Sequence, residues 1–378
     1  MTLAVFLLTA IKLVLNAGFR FVYPFLPAIG RGLGVDLGQM GVLLSVRWGA
    51  GFTAPLTVAA VDRVGSSRRL LVAGLISFGA GSLVTATSGV FVGALVGFAF
   101  IGVGKPLFDI GAQTYVSERV PYRSRARSLG ILELSWAGGF LFGAPLAGWL
   151  IDLWSWEAPF WVFGAIALIA LGGIALVLEA SDSHHRTDTE RRAQSDAAIV
   201  PFLVAVTIAG FTLELVFVTL GAWLEGSFGL SLAGLAGVGA LLGAAEFGGE
   251  GVMVGFTDRI GKRNSFAGGL GIAAVFLGVL ALVNTEMAPA LIALFMVIMS
   301  LELAVISAIP LATELRPARR SRFLAWFLVA AGIGRIIADL IGPAILENTD
   351  MTAVALTAAG SALAGMGVLF ASVEEPGR

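Results

Sequence analysis

Hydrophobic residues run along the chain in long blocks, and each block is about as long as a membrane-spanning helix. Crossing the hydrocarbon core of a bilayer takes about 20 mostly apolar residues of α-helix. The blocks predict twelve spans, at residues 3–27, 38–60, 70–86, 89–112, 128–151, 158–178, 200–224, 231–254, 265–284, 288–312, 322–346 and 351–372. A polar segment separates the sixth span from the seventh. We therefore predict an N-terminal six-helix bundle at 1–178, a linker at 179–199 and a C-terminal six-helix bundle at 200–378.

Composition supports the same class of protein. Of 378 residues, 57% are hydrophobic and 13% are charged, whereas soluble domains carry about 25% charged residues. A net charge of −1 without a basic tract argues against nucleic acid as a partner. The chain has no Cys, and its two histidines, His184 and His185, lie in the linker. We therefore expect a multi-pass membrane protein with no metal site and no cofactor, and not an enzyme.

The Lys and Arg residues outside the spans lie almost entirely on one face. Eighteen of them fall in the connections 2–3, 4–5, 6–7, 8–9 and 10–11 and at the C-terminus, and only Arg31 falls on the other face. Cytoplasmic loops of membrane proteins carry this excess of positive charge. The pattern predicts that both termini and the linker are cytoplasmic, and we expect the protein in the cytoplasmic (inner) membrane of a prokaryote.

Two segments recur at a spacing of 196 residues. The connection after span 2 contains Asp62-Arg63-Val64-Gly65, and the connection after span 8 contains Asp258-Arg259-Ile260-Gly261-Lys262-Arg263. At the same spacing, Glu118-Arg119-Val120-Pro121 matches Glu314-Leu315-Arg316-Pro317. Internal duplication is typical of secondary transporters, which move one repeat against another.

With twelve spans, a cytoplasmic middle loop and two Asp-Arg-x-Gly connections, the chain resembles the major facilitator superfamily over essentially its whole length. The resemblance implies an all-α fold of two pseudo-symmetric six-helix bundles, a small-molecule substrate bound between the halves, alternating access and a monomer. It also implies a cytoplasmic gate at Asp62, Arg63, Gly65, Asp258, Arg259, Gly261, Lys262 and Arg263. Positive-inside bias alone is the competing explanation for the basic residues of this motif. The family's basic residue four places before Gly102 is absent, because that position is Phe98.

Span 5 carries a second pattern, which resembles the glycine-rich motif of the drug-efflux, proton-antiporter branch of that superfamily. Its members are Gly130, Gly139, Gly143, Pro145 and Gly148. Small residues let helices approach closely, and proline bends them. The extra residue Ala144 between Gly143 and Pro145 departs from the motif, so generic helix packing is the alternative interpretation.

Twelve ionisable residues lie inside the predicted spans: Lys12, Arg20, Arg47, Lys105, Asp109, Glu133, Glu214, Glu246, Glu250, Glu302, Arg335 and Asp339. At the bilayer centre each would cost about 2.5 kcal/mol or more if it faced lipid, so each should face protein or a watery cavity. They fall on spans 1, 2, 4, 5, 7, 8, 10 and 11, which line or flank the central cavity in the fold that the chain resembles.

These residues suggest roles in binding and in proton coupling. We expect a substrate cavity formed by Lys12, Asn16, Arg20, Arg47, Trp48, Trp136, Glu214, Glu302 and Arg335. Spacing of four residues predicts the ion pairs Lys105–Asp109 and Arg335–Asp339. Seven acids against five cations leave two carboxylates over, and burial favours the protonated form of such a group. The proton-coupling candidates are Glu214, Glu246, Glu250, Glu302 and Asp339. A structural salt bridge to Arg20 or Arg47 is the alternative for each.

The sequence therefore favours a proton-coupled secondary transporter that exports a small amphipathic molecule or metabolite. A symporter that imports a small polar metabolite is the first alternative, because the same charges would serve either direction. A non-transporting membrane sensor is the second. Tyr23 and Trp223 lie near the outer ends of their spans, and we predict that they anchor the helices at the membrane interface.

Overall fold

The computed structural model describes residues 3–53, 56, 66–178, 199–315 and 320–373, and long α-helices dominate them. Within these ranges the chain contains no β-strand. The helices are α1 (Leu3–Arg20), α2 (Leu26–Leu33), α3 (Leu37–Gly51), α4 (Ser67–Ser88), α5 (Phe91–Arg119), α6 (Tyr122–Leu141), α7 (Gly143–Leu153), α8 (Ala158–Val177), α9 (Ile199–Phe228), α10 (Leu232–Ile260), α11 (Lys262–Val283), α12 (Met287–Leu315), α13 (Arg320–Asn348) and α14 (Met351–Ser372).

Eleven helical segments in the described ranges are long and apolar enough to cross a membrane. They correspond to eleven of the twelve predicted spans. The remaining span, predicted at 38–60, is described mainly as α3, and most of its second half lies outside the described residues. The predicted all-helical membrane fold is confirmed.

The first span differs from its predicted bounds of 3–27. Helix α1 ends at Arg20, a turn follows over residues 21–25, and α2 then continues to Leu33. Pro24 has no N–H to continue the α1 hydrogen-bond ladder, whereas Pro27 is accommodated in the first turn of α2, where that N–H needs no partner. The loop between α2 and α3 is therefore short and spans residues 34–36. Asp36 caps α3 in a capping box with Gln39.

The fifth span is divided into α6 and α7 at Phe142. In a continuous α-helix, the carbonyl of Leu141 would accept a hydrogen bond from the residue four places later, which is Pro145 and has no N–H. This missing donor explains why α6 ends at Leu141. The glycine and proline pattern therefore coincides with an interruption of the helix in this span.

The helices pack into two compact units. Unit 1 comprises Met1–His185 with Leu230–Gly243, and unit 2 comprises Arg186–Gly229 with Ala244–Arg378. In unit 1, α1 packs on α6 and α8, and α4 packs on α5 and α8. In unit 2, α9 packs on α13 and α14, and α11 packs on α12 and α14. Helices at corresponding places in the two six-span halves thus make the same pairings.

The repeat spacing of 196 residues also relates the helix bounds. Helix α5 begins at Phe91 and ends at Arg119, and α12 begins at Met287 and ends at Leu315, each 196 residues later. The described beginnings of α1 and α9, at Leu3 and Ile199, differ by the same number. The spacing found in two short connections therefore extends to whole helices.

Glycine allows the closest helix contacts in both units. In unit 1, a β-carbon at Gly74 would lie 2.6 Å from the backbone nitrogen of Phe108. In unit 2, a β-carbon at Gly334 would lie 1.9 Å from the carbonyl oxygen of Thr207. At both crossings the backbones approach to a distance that leaves no room for a side chain, as is common between membrane helices.

Candidate functional site

Unit 1 contains a set of embedded charged residues that we call the basic cluster. Its four cations are almost fully buried, with relative exposures of 1–5%. Its two acids are more open, since their side chains are 26% and 51% exposed. The members are Lys12 and Arg20 from α1, Arg47 from α3, Lys105 and Asp109 from α5, and Glu133 from α6.

The two lysines of the basic cluster share its two acids. Lys12 Nζ donates to Glu133 Oε2 at 2.8 Å and lies 3.9 Å from Asp109 Oδ1. Lys105 Nζ donates to Asp109 Oδ2, so the predicted pair one turn apart on α5 is present. Gln113 Nε2 donates to the second oxygen of Glu133 at 3.1 Å. These contacts join α1, α5 and α6 through charged side chains.

Farther along α1, Asn16 and Arg20 also contact α6. Asn16 Nδ2 donates to Ser135 Oγ at 3.0 Å, and Arg20 Nη1 donates to the Trp136 carbonyl oxygen at 2.9 Å. The guanidinium of Arg20 also lies 4.1 Å from the Trp136 ring centroid and 3.9 Å from that of Phe140. Cation–π attraction supplements the hydrogen bond at these distances. The predicted polar face of α1 is therefore a packed contact in this structure.

Arg47 is bound differently from the two lysines. Its Nη1 donates to the Phe19 carbonyl at 2.6 Å, and its Nη2 donates to the Tyr23 hydroxyl at 2.8 Å. Its guanidinium carbon lies 4.0 Å from the Phe19 ring centroid, 5.8 Å from that of Trp48 and 6.0 Å from that of Phe98. Phe98 occupies the position where the family resemblance implied a basic residue on α5. In this chain a cation from α3 lies beside it.

Two aromatic predictions are wrong. Tyr23 and Trp223 are each 2% exposed, so neither side chain lies on the protein surface, where an interfacial anchor must be. Tyr23 accepts the hydrogen bond from Arg47, and the Trp223 ring centroid lies 5.6 Å from that of Phe228. Position near the end of a span suggested an anchor, but α1 is followed by a turn and α2, which extend the apolar surroundings beyond Tyr23.

Unit 2 contains the acidic cluster, which comprises Glu214 on α9, Glu246 and Glu250 on α10, Glu302 on α12, and Arg335 and Asp339 on α13. Arg335 Nη1 donates to Glu214 Oε2 at 2.5 Å. Glu214, Glu246 and Asp339 are 0% exposed and Glu302 is 4% exposed. The structure describes an ion pair of Arg335 with Glu214. The pairing of Arg335 with Asp339 stays a prediction.

Three carboxylate-bearing positions of the acidic cluster meet where α10 crosses α12. A β-carbon at Gly249 would lie 2.6 Å from the Met299 carbonyl and 2.9 Å from the β-carbon of Glu302. On α10, Glu246 lies three residues before Gly249 and Glu250 directly follows it. Elsewhere in unit 2, Arg335 borders a cavity of about 20 Å³, which holds about one water molecule. Several acids and a hydratable cation are thus buried within one unit.

The connection motif is described only in part. Asp62, Arg63 and Gly65 lie outside the described residues. In the second copy, Asp258 and Arg259 belong to the last turn of α10, and Gly261 has φ +98°, which favours glycine. Lys262 pairs with Glu314 of α12, and Arg263 Nη1 donates to the Val373 carbonyl at 3.0 Å. The gating role of these residues stays a prediction.

The glycine pattern of the fifth span consists largely of contact positions. A β-carbon at Gly139 would lie 2.8 Å from the β-carbon of Asn16, and one at Gly143 would lie 2.5 Å from the β-carbon of Ala17. Gly148 similarly faces Ala236, at 2.8 Å. Gly130 has no neighbour within 4 Å in the described structure. Close packing accounts for three members of the pattern, whatever their part in transport.

Several neutral partners of the two clusters were not predicted from the sequence. Gln113, Ser135 and the carbonyl groups of Phe19 and Trp136 carry no charge that would mark them in an apolar span. The polar face of α1 indicated that some partner helix must supply matching groups. It did not indicate which helix, because Lys12 and Glu133 are 121 residues apart.

The fold and the two buried charged clusters define a polytopic membrane transporter built from two related halves. The sequence profile of the Major Facilitator Superfamily matches residues 8–313, so the chain belongs to this superfamily. The MFS-type transporter YwfA of Bacillus subtilis is 25% identical over 345 residues, which cover 85% of this chain and 80% of that protein.

Other relatives match more narrowly. The MFS-type transporter Rv1877 of Mycobacterium tuberculosis is 27% identical over 62% of this chain, which spans only 32% of that longer protein. The cis,cis-muconate transport protein of Acinetobacter baylyi is 34% identical over 108 residues, or 27% of this chain and 25% of that protein.

Solved structures agree on the fold. A peptide transporter POT in complex with sulfate superposes with a TM-score of 0.78 at 15% identity, covering 97% of this chain and 94% of that one. A bacterial homologue of the human lysosomal transporter Spinster, in an inward-facing and occupied conformation, gives 0.73 at 14% identity with the same coverage. The chain is therefore a multi-pass membrane protein of the transporter type, with bacterial relatives.

Proposed function

We propose that this transporter is a proton-coupled secondary carrier that exports a small amphipathic molecule or metabolite by alternating access. The observation that carries the proposal is the buried ion pair between Glu214 of α9 and Arg335 of α13, at 2.5 Å. We further propose that it acts as a monomer in the cytoplasmic membrane of a bacterium, with both termini on the cytoplasmic side.

Protonation of Glu214 would change a contact between helices α9 and α13. Both groups are buried, and the pair joins two helices of unit 2 that pack directly on each other. A proton on Glu214 removes one of the charges beside Arg335, and loss of a buried ionic partner is strongly destabilising. Proton binding would therefore favour a different arrangement of α9 and α13. A local charge change that biases a two-state element is a general means of switching.

The other acids of unit 2 supply alternative proton sites. Glu246 and Glu250 lie on α10 and Glu302 lies on α12, the two helices that approach closely at Gly249. Asp339 lies one turn beyond Arg335 on α13. The candidates for the proton-coupling residue are thus the five carboxylates of the acidic cluster. Glu214 is the leading candidate, because its contact with Arg335 is described.

Export is proposed on the glycine pattern of the fifth span, which resembles that of the efflux branch. Proton symport of a small polar metabolite into the cell is the second candidate, because the same buried charges can couple either direction of movement. The direction of the proton gradient that drives accumulation separates the two.

Transport into proteoliposomes with an imposed pH gradient of either sign tests the coupling. The probes are radiolabelled benzoate, cis,cis-muconate and tetraphenylphosphonium, which span both signs of charge. We expect gradient-driven flux of at least one probe in the unmodified protein and its loss in Glu214→Gln. Glu246→Gln and Glu302→Gln extend the test to the helix crossing. Glu286→Gln is the matched control, because Glu286 is exposed in the turn between α11 and α12.

The outcomes separate the candidates. Accumulation driven by a proton gradient running opposite to the substrate indicates antiport, and accumulation with the gradient indicates symport. Gradient-driven flux that survives in all three cluster variants would overturn the assignment of the proton site to these carboxylates. Flux that ignores the pH gradient altogether would overturn proton coupling.

A further inference from the structure

Arg47 is a buried cation with neutral partners. It is 1% exposed, and its hydrogen bonds go to a backbone carbonyl and a phenol. Among the described residues it forms no ion pair with a carboxylate. Within the described part of the chain, its Nε–H is buried and has no hydrogen-bond acceptor. A guanidinium that lacks both a counter-charge and an acceptor for one N–H is energetically unfavourable.

A structural role explains part of this arrangement. Helix α1 ends at Arg20, so the Phe19 carbonyl belongs to the last turn, where carbonyls need a donor from outside the helix, and Arg47 Nη1 provides one. A cation at a helix C-terminus is also favoured by the helix dipole. This role uses Nη1 and leaves the Nε–H unused. It also requires no guanidinium, because a neutral donor would serve the same carbonyl.

The acids of the basic cluster are engaged elsewhere. Glu133 accepts hydrogen bonds from Lys12 and Gln113, and Asp109 accepts one from Lys105. Both acids belong to the more open side of the cluster, whereas Arg47 is enclosed by rings of α1, α3 and α5. The counter-charge that Arg47 lacks is therefore not supplied by the acids of its own cluster.

We propose that the substrate is an organic anion with an apolar or unsaturated body, and that its carboxylate binds Arg47. This inference rests on the proposed function of the protein as a carrier and names its substrate class. Arginine binds carboxylates through pairs of parallel N–H groups, and the free Nε–H of Arg47 lies on an edge suited to such a contact. The Trp48 ring packs edge to face on the buried Phe19 ring, with centroids 5.4 Å apart, and it is the aromatic side chain here that the rest of the molecule would contact. Trp48 is only partly buried, so its ring forms the accessible side of this enclosure.

Equilibrium binding to the full-length protein in detergent tests the substrate class without any gradient. Benzoate is the anionic probe, benzamide is its neutral counterpart, and benzyltrimethylammonium is a cation of similar shape. We expect benzoate to raise the melting temperature and to bind with a measurable affinity, and benzamide to bind at least about tenfold more weakly, since a charge-assisted hydrogen bond is lost.

Variants of Arg47 test the residue. Arg47→Gln should reduce the preference for benzoate over benzamide at least about tenfold. Arg47→Lys should reduce it less, because lysine keeps the positive charge although it lacks the paired N–H groups of arginine. The preference between two probes of one shape is a readout that a purely structural role of Arg47 would not change. If Arg47→Gln does not yield folded protein, Arg47→Lys and Tyr23→Phe carry the test. In Tyr23→Phe, Arg47 loses a neutral partner, and the preference for benzoate should be retained.

The matched control is Arg68→Gln, because the partly exposed Arg68 also donates to a helix carbonyl, that of Ala175, at 3.4 Å. It should leave the preference unchanged. Stronger binding of benzamide or of benzyltrimethylammonium than of benzoate would overturn the inference, as would full benzoate preference in Arg47→Gln. Because binding is measured without a pH gradient, neither result bears on proton coupling, which the proteoliposome assay tests separately.

Discussion

At the scale of single residues, the two units bury charge in contrasting ways. In unit 1 the cations are enclosed and the acids are partly open, whereas in unit 2 most acids are enclosed, and Glu214 among them pairs with Arg335. Buried ions are tolerated where partners compensate them, and removing one partner strands the other. The more deeply buried member of each pair therefore determines how costly a substitution is.

The Lys12–Glu133 pair allows a test of this asymmetry. Glu133→Leu leaves a buried ammonium without its nearest carboxylate and should destabilise the protein by about 1–3 kcal/mol. Lys12→Met leaves a half-exposed carboxylate that water can solvate, so the loss should be smaller. Thermal unfolding of the two variants in the same detergent compares them. Equal losses, or a larger loss for Lys12→Met, would contradict the assignment of Lys12 as the enclosed member.

Contacts between residues close together in the sequence could be predicted, whereas contacts between distant residues could not. Lys105 and Asp109 were predicted as a pair because four residues of α-helix place them on one face. The partner of Lys12 was not predicted, because helix periodicity says nothing about which helix packs on α1. Arg47 was identified as an embedded cation, but its contacts with Phe19 and Tyr23 depend on the end of α1, which lies at Arg20 and not at the predicted residue 27.

At the scale of helices, glycine at the crossings sets the packing distance between elements. Apolar runs predicted where helices lie, because lipid and protein interior select the same side chains. They did not predict the interruption after Arg20, where Pro24 removes a backbone donor inside an otherwise apolar run, whereas the glycine and proline pattern marked the fifth span as irregular. Composition averaged over a span hides such single positions.

The crossing of α9 and α13 provides a test at this scale. Gly334→Ala would place a methyl group 1.9 Å from the Thr207 carbonyl, and it should destabilise the protein by about 1–3 kcal/mol. Gly360→Ala is the matched control, because a β-carbon there has no neighbour within 4 Å in the described structure. The control should be neutral or slightly stabilising. Thermal unfolding measures both, and similar melting temperatures would argue against the close crossing.

At the scale of the whole molecule, charge distribution predicts the orientation in the membrane. The chain has no Cys, so a single introduced cysteine can be labelled without removing native ones. Thr349 lies between α13 and α14, and Ser124 lies at the start of α6 on the predicted cytoplasmic face; both are exposed. We expect an impermeant maleimide to label Thr349→Cys in intact cells and Ser124→Cys only after permeabilisation. The reverse pattern would contradict the predicted orientation.

An ion pair joins the first and fifth spans of each half, but the two pairs occupy different positions. Lys12–Glu133 and Glu214–Arg335 each join residues 121 positions apart. The 196-residue offset, however, places Ile208 and Val329 opposite the first pair, and Gly18 and Gly139 opposite the second. A β-carbon at Gly139 would lie 2.8 Å from that of Asn16, so this position has no room for an arginine side chain. Neither ion pair is therefore reproduced at the corresponding positions of the other half, whereas the helices that carry it recur in both halves.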